Sequence, residues 1–168
     1  LTYSHPKLKT TIGGCDRSQS VSYALTELSD KADEEDWVLV HDAVRPCVSQ
    51  SDLKKLIEVI RNEDIGGLLA CPLSDTIKEV DDSLSVRKTI SREKLWSAMT
   101  PQIFKYGLLK KAYEEAFLAG QPVTDEASAI ESLGLRPKIV QGERTNIKIT
   151  HIEDMALAES VIKAWVDK

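Results

Sequence analysis

Apolar positions along this chain follow two alternating periods, and the alternation marks out its elements. Val21, Ala24, Leu25 and Leu28 recur at helical spacing behind Asp16, which is placed to cap the helix they predict. Leu53, Leu56, Ile57 and Ile60 repeat the pattern behind Ser49 and Asp52, a capping pair. Leu108, Leu109, Ala112, Tyr113 and Phe117 predict a helix from Phe104 to Leu118. Thr124 is expected to cap a short helix with Asp125 and Glu126 in its first turn, and Gly134 to end it. Thr150 and Glu153 predict a capping box for a last helix bearing Ile152, Met155, Val161, Ile162 and Trp165.

Between these repeats lie strand patterns. Lys9 to Ile12 reads as a short strand running into Gly13-Gly14. Trp37 to Val40 is continuously apolar, as expected of a parallel strand buried on both faces. Gly66 to Cys71, ending at Pro72, and Arg136 to Val140 predict two more. From Asp75 to Ser91 polar and apolar residues alternate about Asp81-Asp82-Ser83, which predicts a two-stranded ribbon with a polar tip. Such a ribbon is marginal alone and is expected to pack on something, a second subunit included. Helix and strand in alternation mean an α/β architecture, read here as one domain over residues 1–168.

Composition narrows the function classes. A net charge of −5 excludes the basic footprint of a typical nucleic-acid binder, while a local Arg/Lys cluster still suits a small anion. Cys15, Cys47 and Cys71 are odd in number and lack a C-x-x-C pair. They read as buried free thiols in a reducing cytosol, not as a disulfide framework or zinc site. No apolar run approaches the length of a membrane span, so no membrane partner and a cytoplasmic location are expected. The opening Leu1-Thr2-Tyr3-Ser4-His5 has neither a start Met nor a signal-peptide pattern, and suggests a chain that begins partway through a longer protein.

Three polar clusters follow predicted strands, where ligands of open α/β sheets bind. Gly13-Gly14-Cys15-Asp16-Arg17-Ser18-Gln19-Ser20 offers close backbone approach and a helix N-terminus to an acceptor, or is a plain strand-to-helix turn. In His41-Asp42-Ala43-Val44-Arg45-Pro46, Asp42 is placed to hold a divalent cation and Arg45 to clamp a phosphoryl group, unless the two simply pair to order the loop. His41 reads as a structural hydrogen-bonder, with no Ser or Cys in a triad-like pattern around it. Lys148, between Ile147 and Ile149, is either solvated on an edge strand or aimed at an anion. Thr100-Pro101-Gln102 and Thr124-Asp125-Glu126 read as turn and cap residues whose hydroxyls also suit a polyol phosphate.

Taken together, G-G-x-x-R-x-x-S-V, W-V-L-V-H-D-A-V-R-P, D-T-I-K, S-R-E-K-L-W-x-x-M-T-P-Q, T-D-E-A-S-A and N-I-K-I-T-x-x-E-D resemble the 2-C-methyl-D-erythritol 4-phosphate cytidylyltransferases of the non-mevalonate isoprenoid pathway. The likeness runs from about Thr11 onward. H-D-A-V-R-P is shared with ribitol 5-phosphate cytidylyltransferases; R-E-K-L-W-x-x-M-T-P-Q favours the methylerythritol enzyme. The resemblance implies a Rossmann-like nucleotidyltransferase fold, with a mostly parallel twisted sheet flanked by helices. A protruding β-arm, here about residues 75–91, would make a homodimer. It implies transfer of a cytidylyl group from CTP to the polyol phosphate, with Mg²⁺ and release of pyrophosphate. Residue by residue, Arg92 and Lys148 match the catalytic pair. Asp42 matches a catalytic and metal-facing carboxylate. Arg45, Thr76, Thr100 and Thr124 match the substrate neighbours. Gly13, Gly14, Cys15 and Ser20 match the cytosine-contacting turn, with Cys15 standing where some members have an acid. The family's glycine-rich triphosphate loop, P-A-A-G-x-G-x-R-M, does not occur among these 168 residues. The resemblance places it ahead of Leu1; the chain taken without it reads as a non-catalytic dimerising or ligand-binding fragment.

Overall fold

Eleven elements form in the computed structural model, which describes residues 5–166. In chain order they are α1 (Arg17–Glu27), β1 (Trp37–Val40), α2 (Gln50–Ile60), β2 (Gly66–Pro72), β3 (Ile77–Val80) and β4 (Val86–Ile90). Then come β5 (Trp96–Lys105), α3 (Tyr106–Leu118), α4 (Glu126–Ser132), β6 (Lys138–Gln141) and α5 (Glu153–Val166). A four-stranded sheet has the order β1-β5-β2-β6, and β3 pairs with β4 as a separate antiparallel ribbon. The α/β class therefore holds. The chain divides into two compact units, residues through Val38 with Phe104–Pro137, and Leu39–Ile103 with Lys138 onward. Among the described residues no helix is long and apolar enough to cross a membrane.

The first unit is helical. Asp16 caps α1, its Oδ1 accepting the Gln19 N–H at 2.8 Å. That bond, followed by the Ser18 hydroxyl, holds the Asp16 carboxyl below the usual carboxylate range. Tyr106 joins α3 to α1 by donating its hydroxyl to the Leu25 carbonyl at 3.0 Å. Asp125, not Thr124, caps α4: its carboxylate takes the Ser128 N–H while the Ser128 hydroxyl takes the Asp125 N–H. Lys9 to Ile12 forms no strand. Its side chains are exposed, and an isolated extended segment has no ladder to join.

The second unit packs α2 on β2 and β6, around Leu56, Ile60, Leu69, Met99, Ile103 and Val140. β2 and β6 are parallel, in register from Gly67 opposite Lys138 to Ala70 opposite Gln141. Thr100-Pro101-Gln102 lies inside β5, a ten-residue strand; a proline within the run concealed it from pattern reading. β1 is an edge strand with Trp37 38% and Leu39 43% exposed, so its apolar run is not buried on both faces. At α5 the acid that reaches back is Asp154, not Glu153. Its Oδ2 accepts the backbone N–H groups of Thr150 and His151. Of the cysteines only Cys47 is buried, which raises its thiol pKa; Cys15 is exposed, because its turn stands clear of the core.

Gly67 sits where β2 and β6 approach most closely. A Cβ there would meet the Lys138 carbonyl oxygen and the Ile60 Cδ1 atom. The oxygen belongs to backbone and yields only if the two strands part. Gly67→Ala is expected to lower stability by about 3 kcal/mol, read as a shift in urea midpoint at constant m-value.

Candidate functional site

Where β1 ends, the chain turns so tightly that Arg45 N–H donates to the Asp42 carbonyl at 3.0 Å. The turn brings the Arg45 side chain back along that of Asp42. The Asp42 carboxylate faces two cations, Lys148 Nζ at 3.6 Å and Arg45 Nε at 3.9 Å. Its side chain is 11% exposed, whereas that of Lys148 is 44% exposed. Asp42 thus has two cations beside it, and Lys148 is the accessible one. Such a cluster attracts an anion, and the arginine fork adds bidentate geometry for phosphate.

Backbone and buried polar groups hold this cluster. The Asp42 N–H donates to Thr100 Oγ1 at 3.0 Å. Asn146 is buried; its Nδ2 donates to the Thr100 carbonyl and its own carbonyl accepts from Arg45 Nη1, both at 2.8 Å. The Ile149 N–H donates to the Val44 carbonyl at 2.8 Å, docking the segment that carries Lys148 onto the Asp42–Arg45 turn. Farther back, Asp52 is buried and accepts the Glu143 N–H at 2.8 Å, which fixes where that segment starts. Residues 142–150 form no strand, yet Lys148 is exposed between less exposed Ile147 and Ile149, as the local alternation predicts. The supporting roles of Asn146 and Asp52 are not visible in the sequence. A buried amide two residues before a lysine is a usable signal, while Asp52 resembled an ordinary capping residue.

Asp42, Arg45, Thr100 and Lys148 are thus brought together. Thr76 and Arg92 are exposed at the base of the ribbon, flanking the Ile77–Ile90 pair. Among the described residues no three His, Cys, Asp or Glu side chains gather as a metal site. For Mg²⁺, Asp42 offers one carboxylate. That fits an ion held chiefly by phosphate oxygens and water, not one caged by protein.

The first unit holds the remaining predicted residues. Ser20 Oγ accepts the Gly14 N–H at 2.9 Å and donates to the Asp16 carbonyl at 2.8 Å, and Gln19 Oε1 accepts the Cys15 N–H at 3.1 Å. The Gly13–Ser20 turn is therefore closed by its own side chains. Thr124 is exposed, with its N–H on Ser128 Oγ at 3.1 Å. Between the two motifs runs a fork: Arg17 Nη1 and Nη2 donate to the wholly buried Glu126 carboxylate at 2.8 and 3.0 Å. Tyr113 adds its hydroxyl to Glu126 Oε1 at 2.9 Å. Burial, then the Glu126 charge, pushes the Tyr113 phenol above its ordinary range.

Two outcomes follow for this fork. Arg17→Ala strands the Glu126 charge and is expected to cost about 3 kcal/mol in urea unfolding, with partial recovery in Arg17→Ala/Glu126→Gln. Tyr113 stays protonated when folded at a pH where the unfolded chain has released its proton. Stability should therefore fall as pH rises above about 10, and Tyr113→Phe should flatten that alkaline limb of the unfolding curve.

Comparison with known proteins places this geometry. The family model described as 2-C-methyl-D-erythritol 4-phosphate cytidylyltransferase matches residues 2–164. Proteins bearing that name from Dechloromonas aromatica and Chromohalobacter salexigens are 46% identical over 159 residues and 50% identical over 150. Those alignments cover 94% and 89% of this chain, against 68% and 60% of the relatives' own lengths. The crystal structure of the Francisella tularensis protein of that name superposes with a TM-score of 0.86 at 38% identity, over 96% of this chain and 75% of that one. The Thermus thermophilus structure does so with a TM-score of 0.80 at 30% identity, covering 96% and 78%. The chain thus spans between 60% and 69% of the curated relatives it matches. A family match across nearly its whole length, on a fold shared with solved members, means that the chain belongs to the 2-C-methyl-D-erythritol 4-phosphate cytidylyltransferase family.

Proposed function

We propose that the protein transfers a cytidylyl group from CTP to 2-C-methyl-D-erythritol 4-phosphate, releasing pyrophosphate, as a step of isoprenoid precursor synthesis. The observation that carries this reading is the Asp42–Arg45–Lys148 cluster, two cations beside one carboxylate with Lys148 accessible. In the reaction an acceptor phosphate oxygen forms a bond to the α-phosphorus of CTP, and the bond from that phosphorus to the bridging oxygen of pyrophosphate breaks. Little covalent chemistry is asked of the protein; positioning and charge stabilisation carry the rate.

Lys148 and Arg92 are assigned to the acceptor phosphate and the charge that develops on it, as catalytic residues. Asp42 orients Lys148, and Arg45 adds a second cation beside it. Thr76 and Thr124 are assigned to the polyol, as is Thr100. Gly13, Gly14, Cys15 and Ser20 are assigned to the cytosine ring. Mg²⁺, when bound, would neutralise phosphate charge, with Asp42 as its protein ligand. The β3–β4 ribbon is assigned as the dimerising arm, supported by its exposed Val80, Leu84 and Val86, and a cytoplasmic setting suits three free cysteines.

Pyrophosphate release by the full-length protein tests the reading: turnover is expected with CTP and 2-C-methyl-D-erythritol 4-phosphate. Turnover with ribitol 5-phosphate alone would overturn it. Lys148→Ala and Arg92→Ala should each lower kcat/KM for the acceptor by about tenfold to a hundredfold, the worth of a charge-assisted phosphate contact, while CTP binding changes less. Mixed dimers of two differently inactivated variants should regain activity if the ribbon carries Arg92 into a partner's site.

A further inference from the structure

His41 has a neighbour at each ring nitrogen, and the two neighbours differ in kind. Nε2 lies 2.9 Å from the Arg45 carbonyl oxygen, which only accepts, so Nε2 must carry a proton and donate. Nδ1 lies 2.9 Å from Thr100 Oγ1. The same oxygen accepts the Asp42 N–H, and Thr100 is only 4% exposed.

We propose that His41 is a positioning residue. With its Nε2–H on the Arg45 carbonyl, its Nδ1 holds the Thr100 hydroxyl in place. Thr100 in turn braces the Asp42 backbone and keeps that carboxylate against Lys148. The pair acts through Asp42. The functional half of the inference rests on the reading of Asp42, Arg45 and Lys148 as the acceptor-phosphate site; the hydrogen-bond directions do not.

The tautomer is measured directly by long-range ¹H–¹⁵N correlation of the imidazoles in ¹⁵N-labelled full-length protein at neutral pH. The His41 signals are assigned as those that disappear in His41→Asn, and exposed His5 and His151 serve as reference rings. A proton on Nε2 is expected; a ring protonated on Nδ1 alone overturns the proposal. No turnover is needed, so this arm stands even if wild-type protein releases no pyrophosphate, which would sink the proposed function instead. In the kinetic arm, His41→Leu and Thr100→Val should each lower kcat on the order of tenfold, with the KM for CTP changed by less than about twofold. The double variant should be no worse than either single one, because both remove the same brace. His41→Asn, whose amide can still hydrogen-bond the Thr100 hydroxyl, should recover a larger share of kcat than His41→Leu. Losses that multiply in the double variant, or a KM for CTP that rises as far as kcat falls, overturn the proposal.

Discussion

The Asp42 carboxylate, barely exposed and set against two cations, is the constraint around which the second unit is arranged. A carboxylate with so little water needs compensating positive charge and a fixed backbone. Lys148, from the segment before α5, and Thr100, from the middle of β5, come from distant stretches of chain, and Arg45 from three residues ahead. Asn146 ties these together by holding the Thr100 carbonyl with its amide and Arg45 with its own carbonyl. Because the ties through Thr100 and Asn146 use backbone or a buried side chain, the frame around Asp42 and Arg45 is set before any ligand arrives. Preorganised charge of this kind needs no rearrangement at the moment of reaction.

The first unit solves a similar problem by different means. Glu126 is wholly buried and gains its compensation from one arginine fork and one phenol. Here the ion pair joins α1 to α4 and, through Tyr113, to α3. Breaking it therefore reaches the packing of all three helices, whereas loss of Lys148 would leave the frame of the second unit standing.

Much of this was legible in the sequence, for identifiable reasons. Helices with a clear 3.6-residue repeat were visible because their apolar faces are continuous, and the ribbon because two runs of mixed apolar and polar residues, Ile77–Val80 and Val86–Ile90, flank a polar turn. β5 escaped because Pro101 breaks the usual strand pattern and the run lacks alternation. β1 was misjudged because an apolar run reports composition, not which side of it lacks a neighbour. The caps at α4 and α5 slipped by one residue, Asp125 for Thr124 and Asp154 for Glu153. Adjacent polar residues compete for the same backbone donors, and only geometry decides among them. Asp42, Arg45 and Lys148 were visible as chemistry at strand ends. Asn146 and Asp52 were not, since a supporting residue is defined by what it touches across a hundred positions of chain.

The turn at Gly13–Ser20 carries a different consequence. Its Gly14 and Cys15 N–H groups are already bonded, to Ser20 Oγ and Gln19 Oε1. Any acceptor that comes to them must first displace an internal partner, so its capture is an exchange of one hydrogen bond for another and releases little net enthalpy. Discrimination between ligands at such a turn then depends on which can evict Gln19 at no loss. The identity of residue 19, rather than the glycines themselves, becomes the lever by which substitution would widen or narrow what the turn accepts.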